Sequence, residues 1–446
     1  MKPVKFIDLF AGIGGLRLGF EEAFKNTGLK TECVMTSEIK PFGLKVLEAN
    51  FSHNYIVGDI TKVKNKDIPD FDFLLGGFPC QPFSAGGKRL GFIDTRGTLF
   101  FEIERILAEK KPYGFILENV EGLVKHDVEN KNDDVGRTLK IIVEKLQLLG
   151  YQVNWKILNS ADFGLPQARK RIFIVGTLDG KIELNDFAVK RKNIKTILEK
   201  GLPSMKSKFA DLLLQHFSIE ELFGKSIKDK RGGNNNIHSW DIELKGPVSK
   251  EQAILLNKLF KERRKKQWSA EIGIDWMDGI PLTLEQIKTF HDSPTLKEML
   301  DDLVTKKYLR FEHPKSLVTE YTLLGSKTFR LENLKLKPGY NIVSGKLSYE
   351  INKVLDPDGI APTLVATDMA RLVVADGRVL RRMTLREGLR LFGYPEWFEM
   401  PVTIDEGFDL LGNTVAVNVV TAVSERLACF YKESQLITKL EPVCSL

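Results

Sequence analysis

Over the first 180 residues, apolar runs and amphipathic stretches alternate with few interruptions. Residues 4–10 read as a buried strand. Residues 11–15 form a glycine turn, and a helix follows from 16 to about 25 with Leu16, Phe20 and Phe24 on one face. Strands are predicted at 31–36, 55–57, 71–75, 113–117, 153–158 and 172–176, with helices at 42–51, 96–109 and 135–149 between them. Strands that alternate with helices in this way predict an α/β fold, a doubly wound and mostly parallel sheet.

Beyond residue 180 the pattern changes to lysine-rich helical segments. Residues 231–236 (Arg-Gly-Gly-Asn-Asn-Asn) predict a loop. A dense basic run, 258–266, precedes Trp268 and reads as a solvated helix face or a phosphate contact. A short helix at 282–288, a turn at 291–294, a longer helix at 295–307 and a strand at 308–311 resemble a winged helix-turn-helix unit, expected as an insertion over 250–322. From residue 378 the earlier pattern returns, with a helix at 385–392 and a last helix at 413–431. This predicts a larger domain made of 1–180 and 377–446, with the C-terminus packed back on it, and a smaller domain at 181–376.

Composition narrows the class. A chain of 446 residues, 43% hydrophobic and 28% charged, is that of an ordinary soluble protein with more than one core. No run of eighteen apolar residues is present, and residues 1–5 lead straight into a strand without a signal peptide, so a cytoplasmic protein is expected. The four cysteines have neither metal-ligand nor disulfide-framework spacing, and no metal is expected. The net charge of +7 permits a polyanionic partner without requiring one.

The candidate chemistry lies at the strand tips. Gly12, Gly14 and Gly15 follow the first strand in a spacing that does not favour a pyrophosphate. Glu38 ends the second strand, where an acid accepts from ribose hydroxyls, and Asp59 with Ile60 ends the third. Together these predict a nucleoside site. The fourth strand runs into Gly76-Gly77-Phe78-Pro79-Cys80-Gln81-Pro82-Phe83-Ser84, a break that presents one thiol as a nucleophile. Lys88 and Arg89, in the glycine-rich stretch behind it, suit a phosphate backbone. Leu99 is placed to close over a cofactor. Glu118-Asn119-Val120 ends the next strand, and alternation sets Gln167, Arg169 and Arg171 on one face.

These blocks resemble the DNA (cytosine-5) methyltransferase family of bacterial restriction–modification systems. The resemblance rests on residues 10–15, 77–84, 96–100, 118–120, 167–171, 382–388 and 412–418, in the family's order, and covers roughly 3–180 and 377–431. Asp358 to Leu364 resembles the recognition-region Thr-Leu element. Thr414 and Tyr394 depart from the serine and phenylalanine common at those positions. The resemblance implies methyl transfer from S-adenosylmethionine to carbon 5 of a flipped cytosine in double-stranded DNA, with a restriction endonuclease as functional partner. It implies Cys80 as nucleophile, Glu118 as proton donor at ring N3, Arg171 at the cytosine O2, and Arg169 among the catalytic cations. Asn119 is expected to fix loop geometry. The implied cofactor set is Phe10, Gly12, Ile13, Gly15, Glu38, Ile39, Asp59, Ile60, Pro79, Leu99, Asn413 and Val415. The implied DNA contacts are Gln81, Ser84, Lys88, Arg89, Arg96 and Thr363. Two other readings are cytosine methylation in RNA and a non-catalytic DNA-binding regulator. The long middle region favours duplex DNA, and an intact Cys80, Glu118 and Arg171 favour an enzyme.

Overall fold

The chain's first strand, β1 (Val4–Leu9), is buried on both faces, as its apolar run requires. Ile7 and Leu9 enter one apolar cluster with Leu74, Phe100, Ile103 and Ile142. Phe6 enters another with Phe20, Phe73, Val420 and Leu427. Period-two alternation therefore sends Asp8 into the second layer.

The computed structural model describes residues 2–52, 55–78, 99–128, 132–229, 235–277, 279–322, 325–343, 349–365 and 369–440. After β1 come α1 (Gly15–Asn26), β2 (Thr31–Ser37), α2 (Pro41–Asn50), β3 (Ile56–Val57), β4 (Phe73–Gly76), α3 (Leu99–Lys110), β5 (Gly114–Val120), α4 (Arg137–Leu148), β6 (Gln152–Asn159) and β7 (Lys170–Thr177). The strands form one sheet of order β3-β2-β1-β4-β5-β7-β6. The pairs from β3 through β5 are parallel. β7 is antiparallel to both its neighbours. The order reverses between β1 and β4, and in open α/β sheets ligands bind at the carboxyl ends beside such a switch point.

The last helix spans Val417–Leu440 rather than beginning at residue 413. Asn413 instead closes a separate helix, Ile404–Asn413, where Thr414 turns extended. The last helix lies across α1 so tightly that a Cβ on Gly19 would stand 2.7 Å from the Val420 side chain and 2.9 Å from the Thr421 amide.

The chain divides into two units: residues 1–202, 355–374 and 382–446, and residues 203–354 with 375–381. The expected boundaries at 181 and 376 differ from these. Ile182 and Leu184 bury in the second apolar layer, and Ile194 and Ile197 bury with Ala361, Leu364 and Leu372, so both flanking segments belong to the larger unit's core.

The smaller unit has its own core around Trp240, Leu256, Trp268, Leu300 and Tyr308. Its helix Lys250–Glu262 is followed by Lys266–Glu271, Leu284–Lys288 and Leu296–Thr305, then strand Leu309–Glu312. A hairpin of Lys315–Thr322 and Gly325–Glu332 comes next, then Gly339–Ile342, which pairs with Leu309–Glu312. Leu282 also bridges to Tyr340. With the Leu282 bridge as a short first strand and Lys266–Glu271 as an added helix, this order resembles that of a winged helix, and it runs to Ile342, past the expected end at 322. The basic run serves partly as framework: Arg263 is buried and donates to Asn341 Oδ1 at 2.8 Å, and the Arg264 guanidinium sits 4.3 Å from the centre of the Phe260 ring.

Gly19→Ala is expected to force α1 and the last helix apart, since the clash includes main chain. The expected loss is about 1–3 kcal/mol of unfolding free energy in urea titration. A midpoint equal to wild type contradicts the tight crossing.

Candidate active site

The turn after β1 holds three residues in the left-handed region: Phe10 at φ 58°, Gly12 at 59° and Gly14 at 79°. For Phe10 that conformation costs about 1–2 kcal/mol. Gly14 has a second requirement, because a Cβ there would meet the Phe51 ring at 2.4 Å. Among the described residues, a Cβ on Gly12 would meet nothing within 4 Å.

Glu38 locks the turn to β2. Its Oε2 accepts the Gly12 N–H at 2.6 Å, and its Oε1 accepts the Ile39 and Lys40 amides at 2.8 Å each. The carboxylate is thus fixed at the strand tip with lone pairs left for a ligand. Ile39 beside it is 71% exposed, an apolar side chain at the mouth of a polar site. Asp59 is half-buried at the tip of β3 and accepts from the Thr61 amide and hydroxyl, which hold its carboxyl below the usual range. The Ile13 and Ile60 side chains are buried in core clusters.

At the end of β5, Glu118 is buried. In the β5–β7 register Glu118 stands opposite Phe173 and Val120 opposite Arg171. Glu118 and Arg171 are therefore diagonal neighbours on one face. Arg171 Nε lies 3.1 Å from Glu118 Oε1. Burial pushes the Glu118 carboxyl above its ordinary value, and the Arg171 and Arg169 charges only partly offset this.

The exit of β4 is fitted to this carboxyl. A Cβ on Gly77 would stand 3.9 Å from Glu118 Oε2. Asn119 Nδ2 donates to the Phe78 carbonyl at 3.2 Å, two positions before Cys80. Pro79, Cys80, Gln81, Ser84, Lys88, Arg89 and Arg96 lie outside the described residues. Leu99 opens α3 and is half-buried.

Arg169 does a different job from Arg171. It is 2% exposed, and its guanidinium donates to the carbonyls of Leu364 at 2.9 Å, Gly412 at 3.3 Å and Thr414 at 2.6 Å. It also lies 5.1 Å from the centre of the Phe392 ring. Those contacts make it a positioning residue that ties two distant segments to the start of β7. Thr363 is exposed and donates its hydroxyl to the Ala168 carbonyl at 2.6 Å. Asn413 donates to the Asp409 carbonyl at 2.8 Å within its own helix. Val415 is buried against Gly15, whose Cβ would meet Val415 Cγ2 at 2.8 Å.

Two features escaped the sequence reading. Tyr394 and Thr414, the two departures from the family pattern, touch each other: their hydroxyls are 2.6 Å apart, beneath Gly15. Asp8 is fully buried, and neither carboxyl oxygen has a hydrogen-bond partner among the described residues. Its one sequence signal is an acid inside an otherwise apolar strand. Burial pushes its carboxyl up to about 8, with partial relief from Arg17, so Asp8 is largely protonated at neutral pH.

Among the described residues, no group of three or more His, Cys, Asp or Glu side chains is placed to hold a metal, and no helix is long and apolar enough to cross a membrane.

The sheet order, its single reversed strand and the acid-bearing tips define the S-adenosylmethionine-dependent methyltransferase fold. The chain belongs to the C-5 cytosine-specific DNA methylases, whose family model matches residues 4–429. It is 56% identical to the Type II methyltransferase M.NlaIV of Neisseria lactamica over 96% of this chain and 99% of that one. It is 42% identical to the Type II methyltransferase M.BanI of Aneurinibacillus aneurinilyticus, over 95% of each. In fold it resembles the Entamoeba histolytica methyltransferase EhMeth, with a TM-score of 0.52 at 17% identity, over 97% of this chain and 99% of that one.

A carboxyl with a raised folded-state pKa adds stability that is present below its unfolded value and is lost as pH rises toward the folded one. For Asp8 that window runs from about 4 to about 8. Asp8→Asn is expected to gain stability relative to wild type between about pH 5 and about pH 8, read as the difference of urea midpoints. Parallel pH profiles for the two proteins contradict a buried, protonated Asp8.

Proposed function

We propose that this enzyme methylates carbon 5 of a cytosine turned out of duplex DNA, through a covalent bond from Cys80 to ring carbon 6. It serves as the protective partner of a restriction endonuclease acting on the same sequence in the cytoplasm. The observation that supports this most is the buried Glu118, packed under Gly77 at the exit of β4 and paired with Arg171.

Carbon 5 of cytosine is a weak nucleophile. Attack of the Cys80 thiolate on carbon 6 pushes electron density toward N3 and makes carbon 5 electron-rich. Glu118, whose burial favours the protonated form, donates its proton at N3 as that charge develops. Arg171 holds the cytosine O2 while its charge stays beside Glu118. S-adenosylmethionine, when bound, supplies the methyl group that carbon 5 takes. Loss of the carbon 5 proton to a base, with return of the N3 proton to Glu118, then lets the carbon 6–sulfur bond break and frees Cys80. Asn119 fixes the main chain from which Cys80 is presented.

The residues at the switch point fit the cofactor. The Gly12 turn offers a surface without a side chain, the Glu38 carboxylate is pre-set for the ribose hydroxyls, and Ile39 offers apolar area to the purine. Asp59 stands at the neighbouring tip for the exocyclic amine. Gln81, Ser84, Lys88, Arg89, Arg96 and Thr363 are the proposed DNA contacts. The base must leave the stack, because its carbon 6 is inaccessible within a duplex.

Bisulfite sequencing of plasmid from an expressing host is expected to show one methylated cytosine in a fixed sequence context, and none when Cys80→Ser is expressed. Duplex binding by the purified variant is expected to stay within about threefold of wild type, since the substitution changes one atom in a much larger contact. Methylation by Cys80→Ser at the wild-type level overturns the nucleophile assignment.

Glu118→Gln is expected to lower kcat by about 10²–10⁴-fold. The protonated acid is the active form, so wild-type kcat is expected to fall as pH rises through the raised Glu118 value. The glutamine variant is expected to lack that alkaline limb in single-turnover methyl transfer. An identical alkaline limb in both proteins excludes Glu118 as the donor.

A further inference from the structure

In a winged helix the second helix of the helix-turn-helix pair is the usual groove reader. Here that helix, Leu296–Thr305, carries Glu298, Asp301 and Asp302 against the single Lys297. Lys297 is itself paired to Asp301 at 2.5 Å, and Lys306 just past the helix is paired to Asp302 at 2.7 Å. With Lys297 and Lys306 tied to the helix's own carboxylates, this helix brings no net positive charge to a phosphate-lined groove.

The hairpin that follows has the opposite character. Residues 313–338 carry Lys315, Lys327, Arg330, Lys335 and Lys337 against two glutamates, and Lys327, Lys335 and Lys337 are exposed. Among the described residues the two strands pair only with each other, in register from Lys315 with Glu332 to Thr322 with Gly325. None of the side chains described in the two strands is buried. Leu317 is 45% exposed and Leu331 is 52% exposed, on opposite faces of the ribbon. A two-stranded ribbon without a covering layer is only marginally stable in water, so this one requires support.

Support is present at its root. Arg330 donates to the carbonyls of Asp275 at 3.4 Å and Trp276 at 3.1 Å. Asn333 Nδ2 donates to Ser316 Oγ at 2.9 Å, and His313 Nδ1 is 2.8 Å from the Leu336 carbonyl. The ribbon is thus anchored at its base, and its described side chains are exposed or half-buried on both faces. A two-stranded ribbon fits the major groove of B-form DNA, about 12 Å wide.

We infer that the hairpin 315–332, and not the helix 296–305, is the duplex-contacting element of this winged helix. Its lysines meet phosphates along the groove, and the face that carries Leu317, Thr319 and Thr328 turns to the base edges. The inference rests on duplex DNA being the substrate, as proposed above, and assigns the contact to a particular element.

The test is fluorescence anisotropy of the full-length enzyme with a random-sequence duplex at stepped salt. Lys327→Ala combined with Lys335→Ala is expected to weaken binding about tenfold and to reduce the salt slope by about 0.9 for each phosphate that the variant no longer neutralises. Lys297→Ala, on the helix, is expected to change affinity less than about twofold. An unchanged affinity and slope in the ribbon variant overturns the inference, as does a larger loss from Lys297→Ala. Binding is read without methyl transfer. A wild-type protein that binds through the ribbon yet leaves plasmid unmethylated counts against the proposed activity alone. A ribbon variant that methylates and binds as wild type counts against the ribbon alone.

Discussion

A single reversed strand organises the site. Because β7 runs against β5, the start of β7 lies at the edge where β1 through β5 end. Arg171 reaches the Glu118 carboxyl there, across a sheet register and not through a flexible loop. The pair is only partly compensating. Burial raises the carboxyl's proton affinity, while a guanidinium 3.1 Å away opposes that rise. Burial thus favours the protonated carboxyl more than in an ordinary glutamate, which is the direction a general acid requires.

The segments that converge on this pair come from distant parts of the sequence and are joined by main-chain contacts. Asn119 holds the Phe78 carbonyl. Arg169 gathers the carbonyls of Leu364, Gly412 and Thr414. Tyr394 and Thr414 join hydroxyls under the glycine turn. Polar groups buried in this way hold geometry because leaving one unsatisfied costs about 1–3 kcal/mol. This edge of the sheet is thus braced from behind by the returning C-terminal segment, which explains why the family pattern resumes there after the smaller unit.

Much of this was legible in the sequence. Strand and helix periods located every strand of the main sheet, and strand tips located Glu38, Asp59 and Glu118. Three things were not. Asp8 showed as an oddity in β1, but burial without a partner depends on what packs above the sheet. Arg169 and Arg171 shared a face by alternation, yet one binds carbonyls and the other a carboxyl, and only the packed segments 361–364 and 412–414 decide which. The hairpin 315–332 gave no strand signal because neither face is buried among its described side chains, and a ribbon with no buried side has no apolar–polar alternation to read.

The central claim is the bond between Cys80 and carbon 6 of the target cytosine. It is tested most directly with a duplex carrying 5-fluorocytosine at the methylated position, incubated with enzyme and S-adenosylmethionine. Fluorine in place of the carbon 5 hydrogen blocks the final elimination. The account predicts a denaturation-resistant protein–DNA complex whose digest places the nucleotide on the peptide containing Cys80. No trapped complex from an actively methylating preparation, or attachment at another residue, contradicts it.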